Sequence, residues 1–120
     1  MGLVDRIRNM GRPVTSEQTD KLVVRQLQGR GADLAQPRHV IHFLYASSKL
    51  AAERAAEAIR GAGWDATVDP PAEETGDWIV RADGYRIVDS ATVGSHRSWF
   101  EQVATEHGCE YDGWEAAAKP

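Results

Sequence analysis

Arg38-His39-Val40-Ile41-His42-Phe43-Leu44-Tyr45-Ala46, introduced by Pro37, is the stretch on which the fold turns. Its β-branched and aromatic make-up reads as a strand. Alternation puts Val40, Leu44 and Ala46 on one face and Ile41, Phe43 and Tyr45 on the other, so both faces are largely apolar. A strand of this kind sits centrally in a sheet, either covered on both sides or carrying a binding face.

Working forward, Ser47 or Ser48 is placed to cap a helix over Lys49 to Arg60, whose alanines favour helix and whose Leu50, Ala51, Ala55, Ala58 and Ile59 form a small-residue packing face. Gly61 and Gly63 stop it. Trp64-Asp65-Ala66-Thr67-Val68-Asp69 then alternates, with Trp64, Ala66 and Val68 inward. Pro70-Pro71 ends that strand, and Ala72 to Gly76 is an acidic loop. Asp77 to Ala82 is the next strand, and Asp83-Gly84 reads as a turn. Asp89 or Ser90 starts a helix that buries Val93, His96, Trp99, Phe100, Val103 and Ala104, with Gly94 a weak point inside it and Gly108 at its end. Cys109 to Tyr111 is a short last strand. Working backward, a helix capped by Thr15 or Ser16 carries Leu22, Val23, Gln26 and Leu27 at helical spacing and closes on Gly29 and Gly31. Residues 1–14 read as a flexible lead-in.

The order is a helix followed by β-α-β-β-α-β. That order fits an α+β fold, a ferredoxin-like two-layer sandwich with an antiparallel four-stranded sheet and an extra N-terminal helix. The extra helix is placed to shield either the open sheet face or an edge strand.

At 120 residues with 42% apolar and 27% charged side chains, the chain is one ordinary globular domain. Its net charge of −4 divides unevenly: residues 1–60 carry 10 Lys/Arg against 6 Asp/Glu, a balance of +4, and residues 61–120 carry 4 against 12, a balance of −8. The acidic half disfavours contact with nucleic-acid phosphates and suits a basic protein partner or plain solubility. The single Cys109 forms no internal disulfide and reads as a small hydrophobe of a reducing compartment. No run approaches the ~18 apolar residues of a membrane span, and no secretory leader is evident, so the expected location is cytoplasmic.

Catalytic and metal-binding patterns are missing from the sequence. His39 and His42 are three apart on a strand and point to opposite faces; His96 and His107 are eleven apart on a helix. Gly29-Arg30-Gly31 and Gly61-Ala62-Gly63 are helix stops rather than phosphate loops, no nucleophile elbow occurs, and Glu73-Glu74 stands in a Pro-flanked loop where burial and pKa tuning are not expected. The reading is a non-enzyme with no cofactor and no metal. The sheet's outer face is expected to carry Asp65, Thr67, Asp69, Asp77, Ile79 and Arg81 beside one apolar face of the first strand. Left bare by the N-terminal helix, it is an acidic, aromatic-edged patch suited to a basic protein segment; covered, its acids are merely solvated.

The ending Gly108-Cys109-Glu110-Tyr111-Asp112-Gly113-Trp114-Glu115 is distinctive. Asp112-Gly113 is a turn pair, so Tyr111 closes the last strand and Trp114 folds back as a lid. With Gly31-Ala32-Asp33-Leu34, Pro37-Arg38-His39-Val40, Gly63-Trp64, Trp78 and Phe100-Glu101-Gln102-Val103-Ala104 in the same order, this ending resembles the RraB family, the regulators of ribonuclease E activity of type B. The resemblance spans roughly Thr15 to Glu115. It implies a domain over 15–115 followed by a tail over 116–120. It also implies a non-catalytic regulator that binds the Arg-rich scaffold of ribonuclease E, or of a related RNA-decay enzyme, and inhibits or modulates it. The residues expected to meet that partner are Asp65, Asp69, Glu73, Glu74, Asp77, Glu110, Asp112, Trp114 and Glu115. The alternative is an RNA-binding or homodimeric interaction module using the open sheet face. The partner expectations are thus a basic ribonuclease segment, no direct nucleic acid, no membrane and a possible homo-oligomer.

Overall fold

The strand that opens the reading is the middle of the sheet. In the computed structural model, which describes residues 6–9, 16–29, 36–73 and 76–117, the elements run β1 (Arg6–Asn9), α1 (Ser16–Gly29), β2 (Arg38–Ala46), α2 (Lys49–Gly61), β3 (Asp65–Asp69), β4 (Trp78–Arg86), α3 (Ser90–Glu106) and β5 (Cys109–Ala117). The strand order is β1-β5-β2-β4-β3, antiparallel throughout. The four strands β5-β2-β4-β3 reproduce the ferredoxin-like β-α-β-β-α-β arrangement.

Local chemistry places the helix starts. Ser48 caps α2, its hydroxyl accepting from the Ala51 N–H at 3.2 Å, and Asp89 caps α3, accepting from the Thr92 N–H at 2.7 Å. Each satisfies an amide that the first turn leaves unpaired. The buried face of α2 is Ala52, Ala55, Ala56 and Ile59. The expected stripe is therefore rotated: Leu50 lies outside it and is exposed.

All three described helices occupy one side. On β2 the even residues face them: Leu44 and Ala46 meet α2 and α3 residues in one apolar cluster, and Val40 joins a second cluster with Val23, Val24 and Leu27 of α1. Helix α1 thus extends the helix layer beyond α3 and covers Trp114 and Ala116 of β5. The odd residues of β2 face away from every described helix. Helix α1 therefore does not shield the outer face, yet Ile41 on that face is buried, with 3% exposure.

Four sequence expectations are corrected. The stretch Arg6–Asn9, expected to be loose, is β1 and pairs with the end of β5 from Arg6↔Ala117 to Asn9↔Trp114. Such short pairing comes from a distant partner and leaves no local signal. Its other half is the end of β5: Ala116 and Ala117, expected in a tail, are strand residues.

The other two corrections concern Asp-Gly pairs read as turns. Asp83-Gly84 lies inside β4, opposite Ile41 and Val40. Gly84 is required because the Trp64 ring rests on it: a Cβ there would stand 2.7 Å from Trp64 Cε3. Asp112-Gly113 lies inside β5. Phe43 pairs with Gly113 but the neighbouring Leu44 pairs with Tyr111, so Asp112 is an extra, bulged residue, with Gly113 at φ +122°. The expected Trp114 lid is instead a strand residue with no solvent exposure.

Candidate partner-binding face

The bulge sets what each face of the sheet presents. Tyr111 and Trp114 are three positions apart and would point to opposite faces of a regular strand. One inserted residue brings both to the helix side, opposite Leu44 and His42. There they complete a buried aromatic group. The His42 ring stacks on Phe100 at 4.1 Å, meets Trp64 edge-on at 5.2 Å and lies 5.8 Å from the Tyr111 ring. His42 Nδ1 and the Tyr111 hydroxyl are hydrogen-bonded at 2.8 Å. Burial, reinforced by His96 and Arg86, holds the His42 pKa well below 6.5. Burial also pushes the Tyr111 phenol well up. A neutral ring bonded to a neutral phenol between aromatic faces suits a core.

A second buried polar group ties α1 to the sheet. Asp20, 2% exposed, accepts from Trp114 Nε1 at 2.9 Å and from Arg97 Nε at 2.5 Å, and Arg97 also pairs with Glu101 at 2.8 Å. The sequence reading did not single out Asp20 or Arg97. They stand 77 positions apart, and only the tertiary fold brings them together. A cleft of about 550 Å³ between α1 and α3 is lined partly by this pair and by Lys21, Ser90, Gly94 and Ser95. Cys109 is half-buried and its thiol pKa is raised by burial, the opposite of an activated nucleophile. Among the described residues no three His, Cys, Asp or Glu side chains gather as metal ligands.

The opposite face has different chemistry. Cross-strand register lays out its rows from β5 through β2 and β4 to β3: Glu110, Tyr45, Ile79, Asp69; then Gly113, Phe43, Arg81, Thr67; then Glu115, Ile41, Asp83, Asp65. His39 and Tyr85 follow as a stacked pair with centroids 5.7 Å apart. The face therefore has an apolar and aromatic spine on β2, with carboxylates on both flanks. Arg81 is held bidentately by Asp83 at 2.8 and 2.9 Å, and at the sheet edge Arg8 of β1 is the register partner of Glu115. His39 Nε2 bonds the same carboxylate at 2.7 Å. Burial would raise the Asp83 pKa, but the hydrogen bonds from Arg81 and His39 outweigh it and leave it lowered.

The expected contact residues divide accordingly. Asp65, Asp69, Glu73, Asp77 and Glu110 are exposed. They lie on this face or in the β3–β4 connection at its end. Asp112 is half-buried at the bulge and Glu115 is largely buried. Trp114 belongs to the core and is corrected as a contact residue, because the bulge turns it away from this face. Glu74 lies outside the described residues.

Fold and face together define an α+β sandwich with the described helices on one side of the sheet and carboxylates beside aromatic side chains on the other. The regulator of ribonuclease activity B (RraB) family matches residues 17–116, and the chain belongs to that family. No curated protein matches the chain. The family is one of regulators of ribonuclease activity, which implies a ribonuclease as partner. No helix among the described residues is long and apolar enough to cross a membrane.

Proposed function

We propose that this protein is a non-catalytic, cytoplasmic regulator that binds the Arg-rich scaffold segment of ribonuclease E, or of a related RNA-decay enzyme, on its open sheet face and thereby lowers the enzyme's access to RNA. One observation carries the reading. The exposed acids Asp65, Asp69 and Glu110 flank an apolar spine on a face where Arg81 is already neutralised by Asp83 and where Arg8 of β1 is the register partner of Glu115. A basic segment gains from both components: its charges meet carboxylates and its aliphatic stems lie on Phe43 and Tyr45. An RNA strand would find the same aromatics, but its phosphates would face the acids.

The test is titration of the full chain with the scaffold segment of ribonuclease E from the same organism, at low and high salt, with RNA-cleavage assays of the full-length enzyme alongside. Binding that weakens with salt, together with slower cleavage, is expected. Unimpaired cleavage and no salt-sensitive binding would sink the proposal. Tight binding of single-stranded RNA in its place would establish the alternative.

A further inference from the structure

Strand β3 ends the sheet: in the order β1-β5-β2-β4-β3 it has β4 on one side and, among the described residues, no strand on the other. Two interactions show which way its backbone groups point. The Trp64 N–H donates to the Ile59 carbonyl at 3.4 Å, and the Ala66 carbonyl accepts from Arg60 Nε at 3.2 Å and Nη2 at 2.9 Å. These two groups point away from β4, so by the alternation of an antiparallel ladder the Ala66 N–H and both backbone groups of Val68 also point out from the edge. Arg60, in the last turn of α2, thus caps one carbonyl of an edge that another strand could extend. Side chains divide across this edge. Ala66 is buried and Val68 half-buried on the helix side, while Asp65, Thr67 and Asp69 are exposed on the outer face.

We infer that β3 accepts a basic extended segment as a sixth strand, paired through Ala66 and Val68, with Arg60 as a cap that the incoming backbone displaces. The inference takes from the proposed function only that the partner is a basic segment, and adds that main-chain pairing at β3 holds one stretch of it. An arriving N–H replaces the guanidinium at the Ala66 carbonyl. Glu57, exposed and three positions before Arg60 on α2, stands at the helical spacing that lets it receive the released side chain. Cross-strand neighbours stand about 5 Å apart, so alternate residues of the segment face Asp65, Thr67 and Asp69, and cations four positions apart meet both aspartates. The cap makes the edge selective: every strand must displace it, and one without those cations regains less. A second copy of this chain is a poor occupant. Antiparallel pairing of β3 with itself about Thr67 matches Ala66 with Val68 but sets Asp65 against the other copy's Asp69, and like charges directly opposite are destabilising.

The probe is the end-capped peptide Arg-Val-Thr-Val-Arg, titrated into the full chain with amide hydrogen exchange as the readout of place, and with the ribonuclease E scaffold segment measured in parallel. Slowed exchange of the Ala66 and Val68 amides is expected. N-methylation of the two valines, whose amides face β3 in this pairing, should lower affinity about tenfold, whereas N-methylation of the threonine, whose amide faces away, should be tolerated. R60A should tighten binding about fivefold, and R54A, which removes the same charge from an exposed position of the same helix, should do so by less than half as much. D65N/D69N should weaken binding about threefold. Indifference to valine N-methylation, or equal effects of R60A and R54A, would overturn the inference. So would dimerisation of R60A without peptide in light scattering, which would assign the edge to a second copy. Peptide pairing at β3 without any binding of the scaffold segment would leave the edge site standing and remove ribonuclease E as its partner. Scaffold binding that leaves Ala66 and Val68 exchange unchanged would keep that partner and remove the edge site.

Discussion

Single residues decide which way the aromatic side chains of this sheet point. Gly113 sits at φ +122°, a backbone region that side chains rarely adopt, and it follows the bulged Asp112. Gly113→Ala is expected to cost about 1–3 kcal/mol, read from urea denaturation, because the alanine must either hold the strained backbone or release the bulge. Release would turn Trp114 off the helix side, so a blue-shifted to red-shifted change in tryptophan emission should accompany the loss; full stability would show that the bulge tolerates a side chain. Gly84→Ala tests a different constraint, since its Cβ would meet the Trp64 ring at 2.7 Å beneath the Arg86 guanidinium. A destabilisation of about 1–3 kcal/mol from overpacking is expected there. Relief by Trp64→Leu in the same chain would identify the ring as the obstacle. Both glycines follow an aspartate and read locally as turn pairs. Each is set by a contact made far along the chain: Trp64 for Gly84, and the β2 register for Gly113. The sequence therefore marks both positions as special while concealing the reason.

Elements carry the parts that periodicity makes legible. The β2 strand, the alanine-rich α2 and the alternating β3 were readable because each shows its own period over enough residues. The caps Ser48 and Asp89 were readable because they act within three residues. Strand β1 was not, having four residues and a partner at the far end of the chain. The seam between α3 and the sheet was only half legible: Phe100 and Val103 declared themselves, but the meeting of His42 with His96, ring centroids 6.5 Å apart, depends on how the layers stack. That seam has a pH signature. Burial lowers the pKa of His42 and of His96 below 6.5, with Arg86 adding to both. The folded chain thus refuses protons that the unfolded chain accepts below about pH 6.5. The stability from these rings is present at higher pH and falls as pH drops through that value, by at most about 1.4 kcal/mol per pH unit for each ring. Asp83 and Asp89, with pKa values lowered from 3.8, act in the opposite sense of charge and lose their contribution only in a more acid window. Urea midpoints should therefore decline between pH 7.5 and pH 5.5, before any carboxylate effect. A flat profile over that range would mean that the seam opens to admit a charged ring.

Across the described molecule the two faces of one sheet differ in chemistry, one packed against the helices and the other carrying exposed carboxylates. Trp114, Asp20, Arg97 and the His42 group lie on the helix side, so Asp20→Ala should cost about 3 kcal/mol by leaving the Trp114 N–H and the Arg97 cation without their shared acceptor. Of the acids on the other face, Asp83 is paired with Arg81 and His39 and Glu115 is largely buried, whereas Asp65, Asp69 and Glu110 are exposed and act through their field. Asp65, Asp69 and Glu110 are spread over both flanks of the spine, with Glu73 and Asp77 at its end, so the attraction for a basic chain extends beyond any one contact. Long-range attraction of this kind acts chiefly on the encounter rate. Stopped-flow association with the ribonuclease scaffold segment should slow by about tenfold or more between 50 and 500 mM salt, while dissociation changes less. The D65N/D69N variant should lower the association rate and flatten its salt dependence while leaving the thermal midpoint near that of the parent chain. An association rate indifferent to salt and to those charges would assign the acidic face to solubility and leave recognition to the apolar spine.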